Sequence, residues 1–265
     1  MENLIVNALA QIETVVLGKP IEVKKAVASL LANGHVLIED LPGMGKTTLA
    51  QVLAKVLGLS YQRTQFTSDM LPSDVTGISI FDQNSQSFVL HKGPIFNQLI
   101  LADEINRASP KTQSALLEAM EEHQVSIDGT THRLSDPFFV IATQNPLFHA
   151  GTNALPESQL DRFMMRLSLG FPNVEAEKQI LLGGELHEKI QQVSPVMTNE
   201  QLIKLQKSVE QITVSDAILE YVIALANVTR MADFSGNPLS PRAGKALIKA
   251  SKAWALMEHR NYVIP

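Results

Sequence analysis

The chain has 265 residues, 45% hydrophobic and 18% charged, a globular composition with room for one large domain or two small ones. Its net charge of −5 excludes a broad basic footprint for nucleic acid, leaving only a local strip open, and the lack of any cysteine excludes disulfides and thiolate metal sites. The N-terminal segment lacks the basic start and long apolar core of a signal peptide, and no apolar run approaches the ~18 residues of a membrane span, so a soluble, cytoplasmic protein is expected.

Residues 2–16 carry apolar residues at helical spacing and predict a lead-in helix. After the segment VVLGKP, Pro20 is placed to open a second helix that stops at Asn33-Gly34. Val36–Glu39 reads as a short core strand. A glycine-rich turn, DLPGMGKTT, follows it and leads into a helix that ends at Gly58. Tyr61–Gln65 predicts a second strand. From Thr67 to Pro94 the regular pattern breaks up: GISIF and QSFVL flank Asp82–Ser85 as a hairpin, and the stretch reads as an insertion. Asn97–Glu104 (NQLILADE) is an apolar strand ending in two acids. Ser109-Pro110 then caps a helix that buries Ala115, Leu116, Ala119 and Met120. Asp128-Gly129 between alternating runs marks a tight hairpin over residues 124–134. Pro137–Thr143 (PFFVIAT) is another core strand, closing on Gln144-Asn145-Pro146.

Past Phe171-Pro172 the strands stop. Helices are predicted near residues 174–190, 199–210, 216–231 and 241–259. Thr198 and Gln201 form a capping-box pattern, Ser215 is a good N-cap, and Ala243, Leu247, Ala250, Trp254 and Met257 share one stripe of the last helix. The expectation is an α/β domain over residues 1–171, its mostly parallel sheet covered on both faces, and a small all-α domain over residues 172–265.

The strand–turn–helix context turns the LPGMGKTT segment into a phosphate-loop reading. Gly43 and Gly45 let backbone N–H groups of the loop, which runs Pro42, Gly43, Met44, Gly45, approach phosphate oxygens, and the helix N-terminus adds its partial positive charge. Lys46 would reach the β- and γ-phosphates of ATP, Thr47 would offer its hydroxyl to Mg²⁺, and Thr48 continues the helix start. Asp40 replaces the first glycine of the strict pattern. Asp tolerates a left-handed backbone better than most residues, so the turn is expected to survive.

Asp103 and Glu104 end their strand where an acid can hold Mg²⁺, with the adjacent acid polarising the attacking water. Asn145 directly follows the PFFVIAT strand, and its amide could orient that water or simply form the turn before Pro146. Arg162, in LPESQLDRF, is either functional or a surface arginine paired with Asp161, and Arg166 is a further candidate. Arg242 lies in the first turn of the last helix, an unfavourable place for a cation that an anionic phosphate would relieve, though many such arginines are solvated. The histidines show no metal-ligand spacing, His123 and His132 read as solvated, and no Ser-His-Asp arrangement stands out.

In this order, DLPGMGKTT, LADEINRASPKTQSALLEAMEE, ATQNP, LPESQLDRF and SPRAGKAL resemble the MoxR family of AAA+ ATPases over nearly the whole chain. The resemblance implies a P-loop NTPase core with a helical lid. It makes Lys46 and Thr47 the Walker A lysine and metal ligand, Asp103 and Glu104 the Walker B acids, and Asn145 sensor 1. Arg162 becomes the arginine finger and Arg242 sensor 2, acting on its own nucleotide or a neighbour's. VVLGKP, with Gly18, matches the segment lining the adenine pocket. Thr67–Pro94 matches the helix-2 insert and Gln124–Leu134 the pre-sensor-1 hairpin. Family members usually continue beyond the segment matching NYVIP, so an incomplete lid is expected. They are ATP-driven, chaperone-like machines, typically hexameric rings, often linked to partners with von Willebrand factor A domains. The expected function is Mg-dependent ATP hydrolysis that remodels or assembles partner proteins. Minichromosome maintenance helicases share the insert and hairpin, so a nucleic-acid motor is one rival; the net charge, and a hairpin with one Arg and one His, speak against it. A nucleotide-gated scaffold with little turnover is the other, and the intact acid pair speaks against that.

Overall fold

The apolar strands around the glycine loop assemble into a single parallel sheet. The structure, a computed structural model, describes residues 2–146, 152–182, 186–231 and 233–265. Helices α1 (Glu2–Glu13) and α2 (Pro20–Leu31) lead into β1 (Val36–Glu39), α3 (Lys46–Val56) and β2 (Tyr61–Gln65). A short α4 (Pro72–Thr76) and the hairpin β3 (Gly77–Asp82) and β4 (Ser87–Lys92) form the insertion. The core resumes with β5 (Leu99–Asp103), α5 (Pro110–Glu122), the hairpin β6 (Gln124–Ile127) and β7 (Thr130–Arg133), and β8 (Phe139–Gln144). It closes with α6 (Glu157–Leu160) and β9 (Met165–Leu167).

The sheet order is β2-β5-β8-β1-β9, parallel throughout. Strand periodicity decides which layer each residue joins. Val36, Ile38, Leu99 and Leu101 pack with α1, α2 and α3, whereas Leu37, Ile100, Val140 and Ala142 pack with α5 on the other face. Because both faces are covered, the central strands β1, β5 and β8 are apolar runs, whereas the edge strand β2 (YQRTQ) is largely polar. The sheet's carboxyl edge consequently collects the residues just past β1, β5 and β8: Asp40, Glu104 and Asn145.

Helices α7 (Val174–Leu181), α8 (Leu186–Gln192), α9 (Asn199–Glu210), α10 (Asp216–Val228) and α11 (Pro241–Met257) complete the described chain. The single helix expected near residues 174–190 is two helices, with residues 183–185 outside the described part. Thr198 and Gln201 form the capping box, and the Ser109 and Ser240 side chains accept from the N–H groups of Thr112 and Ala243. Ser215 is the N-cap of α10, as expected, though its side chain makes no cap bond. On α11 the buried face runs through Ala250, Ala253 and Met257, while Leu247 is exposed. Leu202, Leu205, Ala253 and Met257 join the same apolar cluster as α1–α3. Polar ties reinforce the contact: Gln206 Nε2 donates to Leu30 O at 2.9 Å, and Val196 N to Val56 O at 2.7 Å.

Candidate active site

Gly43 and Gly45 both adopt φ +84°, the left-handed region that side chains avoid, and Gly45 is the N-cap of α3. A Cβ at either position would meet nothing within 4 Å, so the loop encloses open space rather than packing against protein. Lys46 opens α3, and its Nζ folds back to donate to Asp40 O at 2.6 Å and Leu41 O at 3.3 Å. Burial lowers the Lys46 pKa, and the charges of Asp40, Asp103 and Glu104 oppose that shift.

Asp40 does not use a left-handed backbone, contrary to the sequence argument. Its 7% exposed carboxylate is what matters: it accepts from Ser168 Oγ at 2.8 Å, from Leu169 N, and from Gly170 N at 3.2 Å. An acid stands where the strict motif has glycine because it ties the loop to the segment leaving β9.

Asp103 is also 7% exposed. Its carboxylate accepts from Thr143 Oγ1 at 2.6 Å and from Arg63 Nη2 at 2.7 Å and Nε at 3.2 Å. Glu104 leaves the strand at φ 55°, ψ 47°, a strained choice for a non-glycine residue. Thr143 Oγ1 accepts the Glu104 N–H at 2.9 Å and so supports that turn. The Glu104 carboxylate accepts from Gln65 Nε2 at 3.0 Å and Arg107 Nη1 at 2.8 Å. Sequence reasoning missed Arg63, Gln65 and Thr143. The available signal was the polar alternation of YQRTQ, whose register against β5 sets Gln65 opposite Asp103.

These groups line one cleft of about 740 Å³. Pro42, Gly43, Met44, Gly45, Lys46, Thr47 and Thr48 form its floor, with Asp103, Glu104, Asn145 and Arg63 beside them. Leu17 and Lys19 contribute from the α1–α2 turn, and Ile180 and Leu181 from α7. Gly18 is not in the wall. It turns the chain at φ +69°, and a Cβ there would lie 2.9 Å from Ala176 Cβ, so its smallness serves close packing against α7. The Thr47 hydroxyl and Asp103 carboxylate are hard oxygen donors that suit Mg²⁺. Among the described residues no group of three or more His, Asp or Glu could hold a metal alone, so such an ion would take its other ligands from phosphate and water.

The predicted arginines do not join the cleft. Arg162 does not pair with Asp161: its Nη2 lies 3.1 Å from Glu121 Oε2 and its Nη1 donates to Leu117 O, while Asp161 accepts from Ser240 Oγ at 2.8 and 2.9 Å. Arg242 also pairs with Glu121. Arg166, on β9, pairs with Glu39 of the adjacent β1.

A family model described as the ATPase family associated with various cellular activities (AAA) matches residues 35–165, and an AAA lid domain model matches residues 229–265. The chain is 37% identical to Chaperone MoxR1 of Mycobacterium tuberculosis over 98% of this chain and 71% of that protein. It belongs to the MoxR family of AAA+ ATPases. It is also 48% identical to YeaC, an uncharacterized Bacillus subtilis protein, over 100% of this chain and 83% of YeaC. The crystal structure of a candidate ATPase from Cytophaga hutchinsonii superposes with a TM-score of 0.90 at 35% identity, covering 100% of this chain and 83% of that one. The MoxR-family fold, an α/β AAA+ core with a helical lid, therefore holds for this chain. No described helix is long and apolar enough to cross a membrane.

Proposed function

We propose that this MoxR-family protein binds ATP in the cleft, hydrolyses its β–γ phosphoanhydride bond, and uses the cycle to remodel or assemble partner proteins. The observation that carries the proposal is the meeting of the open glycine loop, Lys46 and the Asp103–Glu104 pair in one cleft. Loop N–H groups from Gly43 to Thr48 cradle phosphate oxygens, and Lys46, released from Asp40 O and Leu41 O, neutralises the β- and γ-phosphates. Thr47 and Asp103 hold Mg²⁺, which supplies charge neutralisation on the phosphates when bound. Glu104 accepts a hydrogen bond from the attacking water and Asn145 orients it; water oxygen bonds to the γ-phosphorus as the bond to ADP breaks. Leu17, Lys19, Ile180 and Leu181 form the side of the cleft suited to the adenine base.

Arg162 and Arg242 act on a neighbouring subunit's nucleotide, which accounts for their absence from the cleft of their own chain. That role calls for a closed homo-oligomer, a hexameric ring in the family pattern. The core spans residues 1–171 and the lid residues 172–265, with Gly170, Phe171 and Pro172 in the cleft wall at their boundary. The chaperone name of the Mycobacterium relative favours protein clients; von Willebrand factor A domain partners and a cytoplasmic setting rest on the family resemblance of the sequence motifs. Lys46→Ala and Glu104→Gln test the reading. Equilibrium binding of a fluorescent ATP analogue should vanish in the first and persist in the second, with turnover down at least ~10²-fold in both. Full turnover in Glu104→Gln would remove the Asp103–Glu104 pair from the mechanism.

A further inference from the structure

Glu121 stands in the last turn of α5, and its carboxylate serves arginines from two different parts of the molecule. One oxygen pairs with Arg242 Nη2, from the first turn of α11, and the other lies 3.1 Å from Arg162 Nη2, just past α6. Glu121 and Arg242 are exposed and Arg162 is half-buried, with side-chain exposures of 34%, 43% and 27%, so the cluster sits at the surface. Beside it, Ser240 Oγ reaches both oxygens of Asp161, a second tie between the same two elements.

Two guanidinium groups share the single Glu121 carboxylate, with the Asp161 carboxylate engaged by Ser240 beside them, and Arg162 Nε is buried without an acceptor. Arg242 also lies in the first turn of its own helix, where the positive helix end favours a compensating anion. The paired forks therefore form a preassembled unit, with Arg162 Nε still free to donate, and the fork geometry of arginine suits phosphate oxygens.

We infer that Glu121 is a positioning residue that holds the core arginine and the lid arginine as one unit, so that both reach the same neighbouring phosphate group together. The inference rests on the proposed trans role of Arg162 and Arg242. Without the carboxylate the two like charges repel, each side chain regains its rotamers, and the first turn of α11 keeps the Ser240–Asp161 bond, while Ala253 and Met257 still anchor the far end of the helix.

The test compares Glu121→Gln with wild type in the assembled state. Gln keeps the size of the side chain but turns an N–H group toward a donor, so at least one arginine is released. The expected result is a fall in kcat of about 10- to 100-fold with KM for ATP within about twofold, because Glu121 lies outside the cleft. Glu121→Asp should recover part of the loss. The Glu121→Gln effect should shrink when measured in an Arg242→Ala background, where only Arg162 remains for Glu121 to hold; the same fold-loss there would mean that Glu121 does not couple the two arginines and would overturn the inference. Since the chain has no cysteine, spin labels at Glu118→Cys on α5 and Lys249→Cys on α11 give a readout independent of turnover. In nucleotide-free protein a single narrow distance distribution is expected, broadened alike by Glu121→Gln and Arg242→Ala; an unchanged distribution overturns the inference. Wild-type turnover in both Arg162→Ala and Arg242→Ala would sink the trans role and the inference with it. Loss in those variants with normal turnover in Glu121→Gln would sink the inference alone.

Discussion

Restoring the strict phosphate-loop motif with Asp40→Gly should destabilise this protein. The Asp40 carboxylate accepts from two backbone N–H groups, at Leu169 and Gly170, and from the Ser168 hydroxyl. Leu169 is 3% exposed, so its N–H cannot turn to water and loses about 1–3 kcal/mol when its acceptor goes. The half-buried Gly170 group loses about 0.5–1.5 kcal/mol, the exposed Ser168 hydroxyl about 0.5 kcal/mol because water can replace its acceptor, and the added backbone freedom of glycine costs about 0.5–1 kcal/mol. The sum is about 4 kcal/mol, which for a chain of this size lowers Tm by roughly 10 °C. Asp40→Asn keeps one acceptor oxygen and should lose about half as much. Differential scanning calorimetry and urea titration measure both. If Asp40→Gly unfolds within about 3 °C of wild type, the carboxylate tie is not holding the loop, and simple tolerance of a non-glycine turn is the better account.

His35 should make stability depend on pH. It accepts from Val140 N at 3.1 Å through Nδ1, so Nε2 carries the proton toward Met120 O, and burial, with His123 nearby, holds its pKa at about 4 against an ordinary 6.5. The folded pKa is the lower one, so this contribution is complete above pH 6.5 and is lost as pH falls to about 4. The loss is about 3 kcal/mol across that window, and an imidazole NMR signal for His35 titrating near 6.5 would refute it. Mixing inactive Lys46→Ala with inactive Arg162→Ala should restore activity, since random assembly completes about a quarter of the ring's sites. Turnover of a few to ~25% of wild type is expected by phosphate release, and none after verified subunit exchange would make Arg162 structural. DNA or RNA should neither bind at micromolar strength with a steep salt dependence nor stimulate the ATPase, and either result would favour the nucleic-acid motor.

The glycine loop, the strand-end acids, both hairpins and the Ser109 and Thr198 caps are all legible in the sequence. Each depends on groups a few residues apart, where backbone sterics and local hydrogen bonds leave few alternatives. The partners of the charged groups were not legible. Asp161 is next to Arg162 in the chain, yet the guanidinium turns to Glu121 on α5 and the carboxylate to Ser240 on α11. Arg63 and Gln65 reach Asp103 and Glu104 only because β2 lies beside β5 in that register. Asp40 looked like a tolerated departure until Leu169 and Gly170 came within reach of its carboxylate. A half-exposed ion pair is worth only about 1 kcal/mol, too little to choose its own partner against solvent or any other nearby charge. Packing of the apolar faces decides which elements become neighbours, and the charged side chains then pair with whatever that packing brings close.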